Sequence, residues 1–532
     1  VRIHPAAISL AVILLGLVAW ATWTNYIWDE INGHDPISAA IARGVAPPEH
    51  PLFPGDPFRY HLAFDVLAGI LRAFTWITIS HAIDTITVIS FILLMMSAAS
   101  IGMRLGGRAA ASLALLLAPL AGGTFVYLLF TEIGSIQVHV DGIPLTWYNN
   151  VPPTVISNFF QHPQGLAMPV SLAILMLFDD QGVDQRTRVA RVVLGSVLLG
   201  MLSFAQIVFF AVIGFALGVS VLVRAFERRN FRSGAIELSC LAASVGIAFA
   251  IGGFFERSAA PKGDAMLELG KSFFGEPWLT SIAHHVFVFG LPLIAAPIAL
   301  FRLKGEGRML RIMLFAATAV AFLIPNLVVY ARSWDVVKFY GVGGFFANLL
   351  FADTLAILFK RTVWRPALGV VLAILSVVAG LMWLARMSVF DGRWGVPKYH
   401  IPKPPDIAEQ LADELDPLVG TYQRVFDTSI ELAAAGGFLT PGFNPLREGG
   451  GYMLDRPKYL RLNDAYSRAR KTLARTDLDI LGADFVVLSR GDIGSLEKDA
   501  KEALEDPKRF EHVFDTTLYN DIRKVYRVVR GP

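Results

Sequence analysis

The sequence predicts a polytopic α-helical membrane protein of about eleven transmembrane helices, with juxtamembrane helices and a small soluble α/β domain at the C-terminus. Three observations predict it. Of 532 residues, 54% are hydrophobic and 17% charged, against roughly 25% charged in a soluble domain. The apolar residues gather into blocks of roughly 17 to 22, the length at which a helix crosses about 30 Å of hydrocarbon. Composition then changes sharply near Asp391, where Pro397, Pro402, Pro404 and Pro405 lead into a charged segment.

The spans read as 6–24, 83–103, 109–130, 165–178, 189–204, 206–223, 235–254, 284–301, 309–330, 339–359 and 367–388. The first, with its basic Arg2, has the start of a signal peptide, but its apolar run is too long and no small-residue cleavage site follows it. Segment 62–79 is apolar yet carries Asp65 and Arg72, and a charge at mid-bilayer costs at least ~2.5 kcal/mol. The positive-inside rule arbitrates. If 62–79 stays at the interface, the basic loops Arg104–Arg108, Arg186–Arg191, Arg224–Arg232, Arg302–Arg311 and Lys360–Arg365 all fall on the cytoplasmic side. If it crosses, all of them move outside. The segment is therefore expected to lie along the interface.

This topology gives a membrane domain over 1–390 and an external, periplasmic-type α/β domain over 391–532. A long first loop, 25–82, and the segments 131–164 and 255–283 face outward too. Within the C-terminal region, 484–489 and 525–529 read as strands, 406–415 and 496–504 as helices. A formal net charge of +3, without a basic tract interleaved with aromatics, argues against nucleic acid. The single cysteine, Cys240, permits no intrachain disulfide and no thiolate metal cluster.

Candidate chemistry concentrates on the outward loops. Asp29 and Glu30 follow the first span directly; a partly desolvated carboxylate at the bilayer edge can serve as a general base near neutral pH, and the same pair can equally be a polar helix end. His61 and Asp65 are spaced i,i+4, which on a helix makes either a hydrogen-bonded pair or, with Asp29, ligands to a sugar hydroxyl or a divalent ion. Loop 131–164 brings His139 and Asp141 together with Trp147, Tyr148 and two asparagines, a composition that suits a carbohydrate site and an interfacial aromatic belt alike. Arg332 and Lys338, beside Trp334 and Tyr340 at headgroup level, oppose the orientation bias and could grip a lipid phosphate; snorkelling is the other account.

With Trp28-Asp29-Glu30, Arg59-Tyr-His61-Leu-Ala-Phe-Asp65, Ser333-Trp-Asp-Val-Val-Lys-Phe339 and Leu481-Gly-Ala-Asp-Phe-Val-Val-Leu488 in place, the chain resembles the GT-C superfamily of glycosyltransferases, bacterial and polyprenyl-phosphate-sugar dependent. The resemblance implies inverting transfer of a sugar from a polyprenyl-phosphate or -diphosphate donor to a glycan, lipid or protein acceptor at the external face of the inner membrane. It implies Asp29 as the base, Glu30 as the residue orienting the acceptor, and Arg332 and Lys338 at the phosphate of the leaving group. It leaves a divalent cation open. Two other classes share the composition: a secondary transporter, which would show inverted repeats absent from this sequence, and a noncatalytic subunit of cell-envelope polysaccharide assembly.

Overall fold

The computed structural model describes residues 3–27, 33–46, 49–57, 61–123, 139–140, 143–144, 155–179, 184–251, 267–269, 285–286, 289–302, 306–330, 338–360, 364–388, 400–402, 407–428, 431–440, 456–518 and 521–530. The membrane portion is a helical bundle. In chain order its helices are α1 (Pro5–Thr24), α2 (Asp35–Ala42), α3 (Ala63–Phe74), α4 (Ile79–Gly106), α5 (Arg108–Leu120), α6 (Val155–Phe159), α7 (Pro163–Phe178), α8 (Gln185–Ala205), α9 (Ile207–Arg228), α10 (Phe231–Ile251), α11 (Leu291–Ala295), α12 (Arg308–Leu327), α13 (Lys338–Ala356) and α14 (Trp364–Ser388). A 3-10 turn, Ala296–Arg302, extends α11.

Eight of these, α1, α4, α8, α9, α10, α12, α13 and α14, are long and apolar enough to cross a membrane. The other three expected spans appear as shorter apolar helices: α5, α7 and Leu291–Arg302. The expected span 309–330 stops at Leu327 because the chain turns extended into β7 (Val328–Tyr330). Only Gln206 separates α8 from α9; it is extended, and its side-chain carbonyl accepts from the Val208 amide to cap the second helix. The 12 residues of α3 reach only about 18 Å. Its buried face carries Phe64, Asp65, Ala68 and Gly69, whereas Leu67, Ile70 and Phe74 are exposed and Trp76 just beyond is fully so. That two-faced pattern fits a helix lying along an interface.

The C-terminal unit holds α15 (Ile407–Leu415), α16 (Glu431–Gly436), α17 (Arg456–Thr472), α18 (Arg475–Leu481), α19 (Arg490–Ser495) and α20 (Lys498–Leu504) around a four-stranded sheet. The strands are β9 (Arg424–Asp427), β10 (Ala483–Ser489), β11 (Phe510–Leu518) and β12 (Asp521–Val528), in the order β11-β12-β10-β9, with β10 antiparallel to β12 and parallel to β9. Both faces of the sheet are covered, so β10 is apolar almost throughout. Val486 and Leu488 pack with Leu462, Ala469 and Ala500 on one side. Phe485 and Val487 pack with Leu411, Leu415 and Phe438 on the other. The two expected strands and two expected helices are present; β9 and β11 were not foreseen.

Short pairings join distant segments at one end of the bundle. Strand β1 (Asn25–Ile27), continuing α1, pairs antiparallel with β8 (His400–Pro402), so the proline-rich linker returns to the first span. Strand β6 (Leu267–Leu269) pairs with β7 after α12. Strands β2 (Glu49–His50) and β3 (Phe53–Pro57) form a hairpin within the first loop. The opposite end is clamped by buried ions. Asp353 of α13 accepts from Arg311 Nε at 2.7 Å and from Arg302 Nη1 at 2.7 Å, and Arg311 Nη1 also donates to the Glu306 carbonyl at 2.9 Å. Glu237 of α10 is paired with Arg188 and with Arg224, the latter at 2.9 Å. Arginines read from sequence as orientation signals are therefore also structural ties, and the acids inside spans 235–254 and 339–359 are their partners.

Candidate functional site

At the β1 end, α2, α3, α4 and α7 converge on a cluster of polar side chains that the solvent does not reach. Asp65 lies in the first turn of α3, fully buried. Its Oδ1 accepts from His34 Nδ1 at 2.8 Å and from Ser38 Oγ at 3.3 Å. Its Oδ2 is buried and accepts no hydrogen bond, which leaves one lone-pair-bearing oxygen of a carboxylate available to a ligand hydroxyl. His162, preceding α7, stacks on Phe64 with ring centroids 4.8 Å apart, meets His34 edge-on at 5.2 Å, and pairs with Thr87 Oγ1 of α4 at 3.1 Å. Asp35 and Asp84 are buried in the same helices.

The expected His61–Asp65 pair does not form. His61 precedes α3, whose N-cap is Leu62, so the i,i+4 spacing does not apply; the partner of Asp65 comes instead from 31 residues upstream. His61 faces Gln206, at 3.5 Å between Nε2 and Nε2, at the break between α8 and α9. Burial holds the His61 imidazole well below its ordinary pKa, and the positive fields of Lys338 and His34 push it the same way. Lys338, the first residue of α13, thus acts on the same cluster. Two residues along α13, Tyr340 is buried against His285, with ring centroids 4.4 Å apart, and the Asn326 amide meets His285 Nε2 at 3.1 Å.

Of the residues singled out from sequence, Asp65 lies in this cluster, His61 lies beside Gln206, and Lys338 bears on His61 through its charge. Asp29, Glu30, Asp141 and Arg332 lie outside the described residues, as do the side chain of His139, whose backbone forms β4 (His139–Val140), and the aromatic loop around Trp147. His34, Ser38, Thr87, His162 and Gln206 were not selected as site residues. The signal for His34 and His162 was visible: each is a histidine next to a proline-started helix in an outward segment. That they meet was not visible, because the two rings are 128 positions apart in the chain. Among the described residues, no group of three or more His, Cys, Asp or Glu could hold a metal ion.

No family model matches the sequence, and no curated protein matches it either. Solved structures do. The chain is similar to ArnT from Cupriavidus metallidurans bound to undecaprenyl phosphate, with 14% identity and a TM-score of 0.47 over 99% of this chain and 100% of that one. It is also similar to the oligosaccharyltransferase of Archaeoglobus fulgidus tethered with an acceptor peptide, with 13% identity and a TM-score of 0.47 over 96% of this chain and 73% of that one. A structure of the same archaeal enzyme in complex with Zn and sulfate gives 13% identity and a TM-score of 0.46, over 95% and 72% of the two chains. Both enzymes belong to the GT-C superfamily. At this identity and overlap the likeness carries nothing about which reaction this chain performs.

Proposed function

We propose that the protein is an inverting glycosyltransferase that moves a sugar from a polyprenyl-phosphate or -diphosphate donor to an acceptor at the external membrane face. One observation supports this reading above others: Asp65, held through one oxygen by His34 and Ser38, keeps a second buried oxygen without a hydrogen bond, while the charge of Lys338 bears on His61. A cation beside hydroxyl-binding groups is what a phosphate-linked sugar requires.

In this reading Asp29 takes the proton of the acceptor hydroxyl as its oxygen attacks the anomeric carbon. The bond from that carbon to the phosphate oxygen breaks, its electron pair stays with the phosphate, and the configuration inverts. Lys338 and Arg332 stabilise the charge that develops there. Glu30 orients the acceptor. Asp65 and His61, with His139 and Asp141 from the second outward loop, bind the sugar hydroxyls.

The test is turnover of an undecaprenyl-phosphate-linked hexose by protein in liposomes, with mass spectrometry of the lipids that co-purify. Asp29→Asn keeps the shape and removes the base, so kcat should fall by ~10²–10⁴ with donor affinity little changed. Glu30→Gln should cost less. Full turnover in both variants places the base elsewhere. A transporter or a noncatalytic assembly subunit would show no turnover even in the unaltered protein.

A further inference from the structure

Helix α2 is held between two bodies. Its inner face supplies His34 and Ser38 to Asp65 and packs on α3 so closely that a Cβ on Gly69 would lie 2.8 Å from the Ser38 carbonyl. Its other face meets the C-terminal unit. Gly437, just past α16, has φ +65, and a Cβ there would lie 2.3 Å from both the Ala39 carbonyl carbon and the Ala40 nitrogen, so backbone touches backbone. Ala40, Val45 and Leu439 form a small buried cluster. The Arg43 guanidinium sits 3.9 Å from the centre of the Phe438 ring, donates from Nε to Asp416 at 3.0 Å, and donates from Nη2 to the Val419 carbonyl. Beyond α2, Tyr422 Oη donates to the Ala46 carbonyl at 3.0 Å and the Thr440 amide to the Pro51 carbonyl at 2.8 Å.

An isolated helix shorter than ~12–15 residues is marginal in water, and α2 has 8. Nothing within α2 itself can hold His34 and Ser38 in register with a carboxylate on another helix. The surfaces on either side of it must do so, and one of them belongs to the C-terminal unit.

We propose that the C-terminal domain positions the site: Arg43 and the segment Gly437–Leu439 latch α2 against α3, so that His34 and Ser38 hold Asp65, with Arg43 as the positioning residue. The latch follows from contacts alone; its effect on turnover rests on the glycosyltransferase reading. The C-terminal domain is thereby part of the catalytic assembly and not a separate appendage.

The test uses full-length protein in liposomes, with Arg43→Ala, Gly437→Val and the conservative Arg43→Lys. One readout is independent of activity: the rate at which diethyl pyrocarbonate modifies buried His34, mapped by peptide mass spectrometry, with buried His285 as the internal reference. Arg43→Ala and Gly437→Val should raise His34 modification by roughly five- to thirty-fold, leave His285 protected, and lower kcat for the undecaprenyl-phosphate-linked hexose more than they raise its KM. Arg43→Lys should restore most of both. Unchanged His34 modification in both disruptive variants overturns the latch, and so does equal exposure of His34 and His285, which would make the contact a general stabiliser. Faster His34 modification with unchanged kcat keeps the latch and removes the His34–Asp65 pair from the transfer reaction.

Discussion

His34 Nδ1 lies 2.8 Å from Asp65 Oδ1, across a sequence separation of 31 and at the junction of α2 and α3, with both side chains almost wholly shielded from solvent. Facing a carboxylate, Nδ1 must be the donor, so the pair has a direction. It uses one oxygen of Asp65 and leaves the other without a hydrogen bond. A group arranged in this way is oriented on one side and available on the other, as a hydroxyl-binding carboxylate should be.

Replacing either partner therefore has a defined outcome. Asp65→Asn keeps the volume and loses the charge, and His34→Ala leaves the carboxylate with Ser38 alone. Each should reduce kcat/KM for the lipid-linked hexose by roughly ten- to a hundredfold, the equivalent of one hydrogen bond to a charged group. Because the two act as a unit, the double variant should be little worse than the worse single one. Strictly additive losses, measured as a double-mutant cycle, would show that the pair does not act as a unit.

The pH dependence of stability follows from His61. Its folded-state pKa is held well below the ordinary imidazole value, by burial first and then by Lys338 and His34. The unfolded chain thus binds the proton first. Stability is fully present above the unfolded value of about 6.5 and is lost as pH falls from there toward the folded pKa. His61→Gln should flatten that acid limb in thermal-inactivation half-lives measured from pH 7.5 to 4.5. An acid limb as steep as that of the unaltered protein would assign it to other groups.

The proposed reaction puts Lys338 at the donor phosphate, and its positive field also lowers His61. Lys338→Met should raise the donor KM or lower kcat by about tenfold or more. It should also shorten the His61 acid limb, with less stability lost below about pH 6.5, since one of the two positive fields is gone and the folded pKa moves back toward the unfolded value. Unchanged donor dependence would leave Lys338 as an interface anchor.

At the far end of the bundle, Asp353 compensates two arginines, one of them, Arg311, 2% exposed. Asp353→Asn removes the charge and leaves Arg302 and Arg311 uncompensated in a buried setting, a change that typically costs ~3–5 kcal/mol. The expected result is a sharply shortened half-life at moderate temperature in detergent, with specific activity of the surviving fraction near normal. A lifetime like that of the unaltered protein would mean that water enters the cluster and screens it.

What the sequence determined by itself was everything governed by local composition and solvent. The long apolar runs of α1, α4, α8, α9, α10, α12, α13 and α14 had to be helices, since a backbone in hydrocarbon must satisfy its own hydrogen bonds. The charges of Asp65 and Arg72 set α3 apart from the expected spans as a segment expected to lie along the interface. The apolar run of β10 marked a strand, and packing covered both of its faces. The tertiary structure decided the pairings. Spacing offered His61 as the neighbour of Asp65, but the helix begins after His61, so the carboxylate turned to His34 instead. The acids inside α10 and α13 found arginines in α9 and α12 that sequence placed in loops and could read only as orientation signals. The contact of Gly437 with α2 joins positions nearly 400 residues apart and has no local signature beyond a glycine. Periodicity and charge report on the solvent around each segment, whereas partners across the fold depend on how rigid elements pack, and that information is not local.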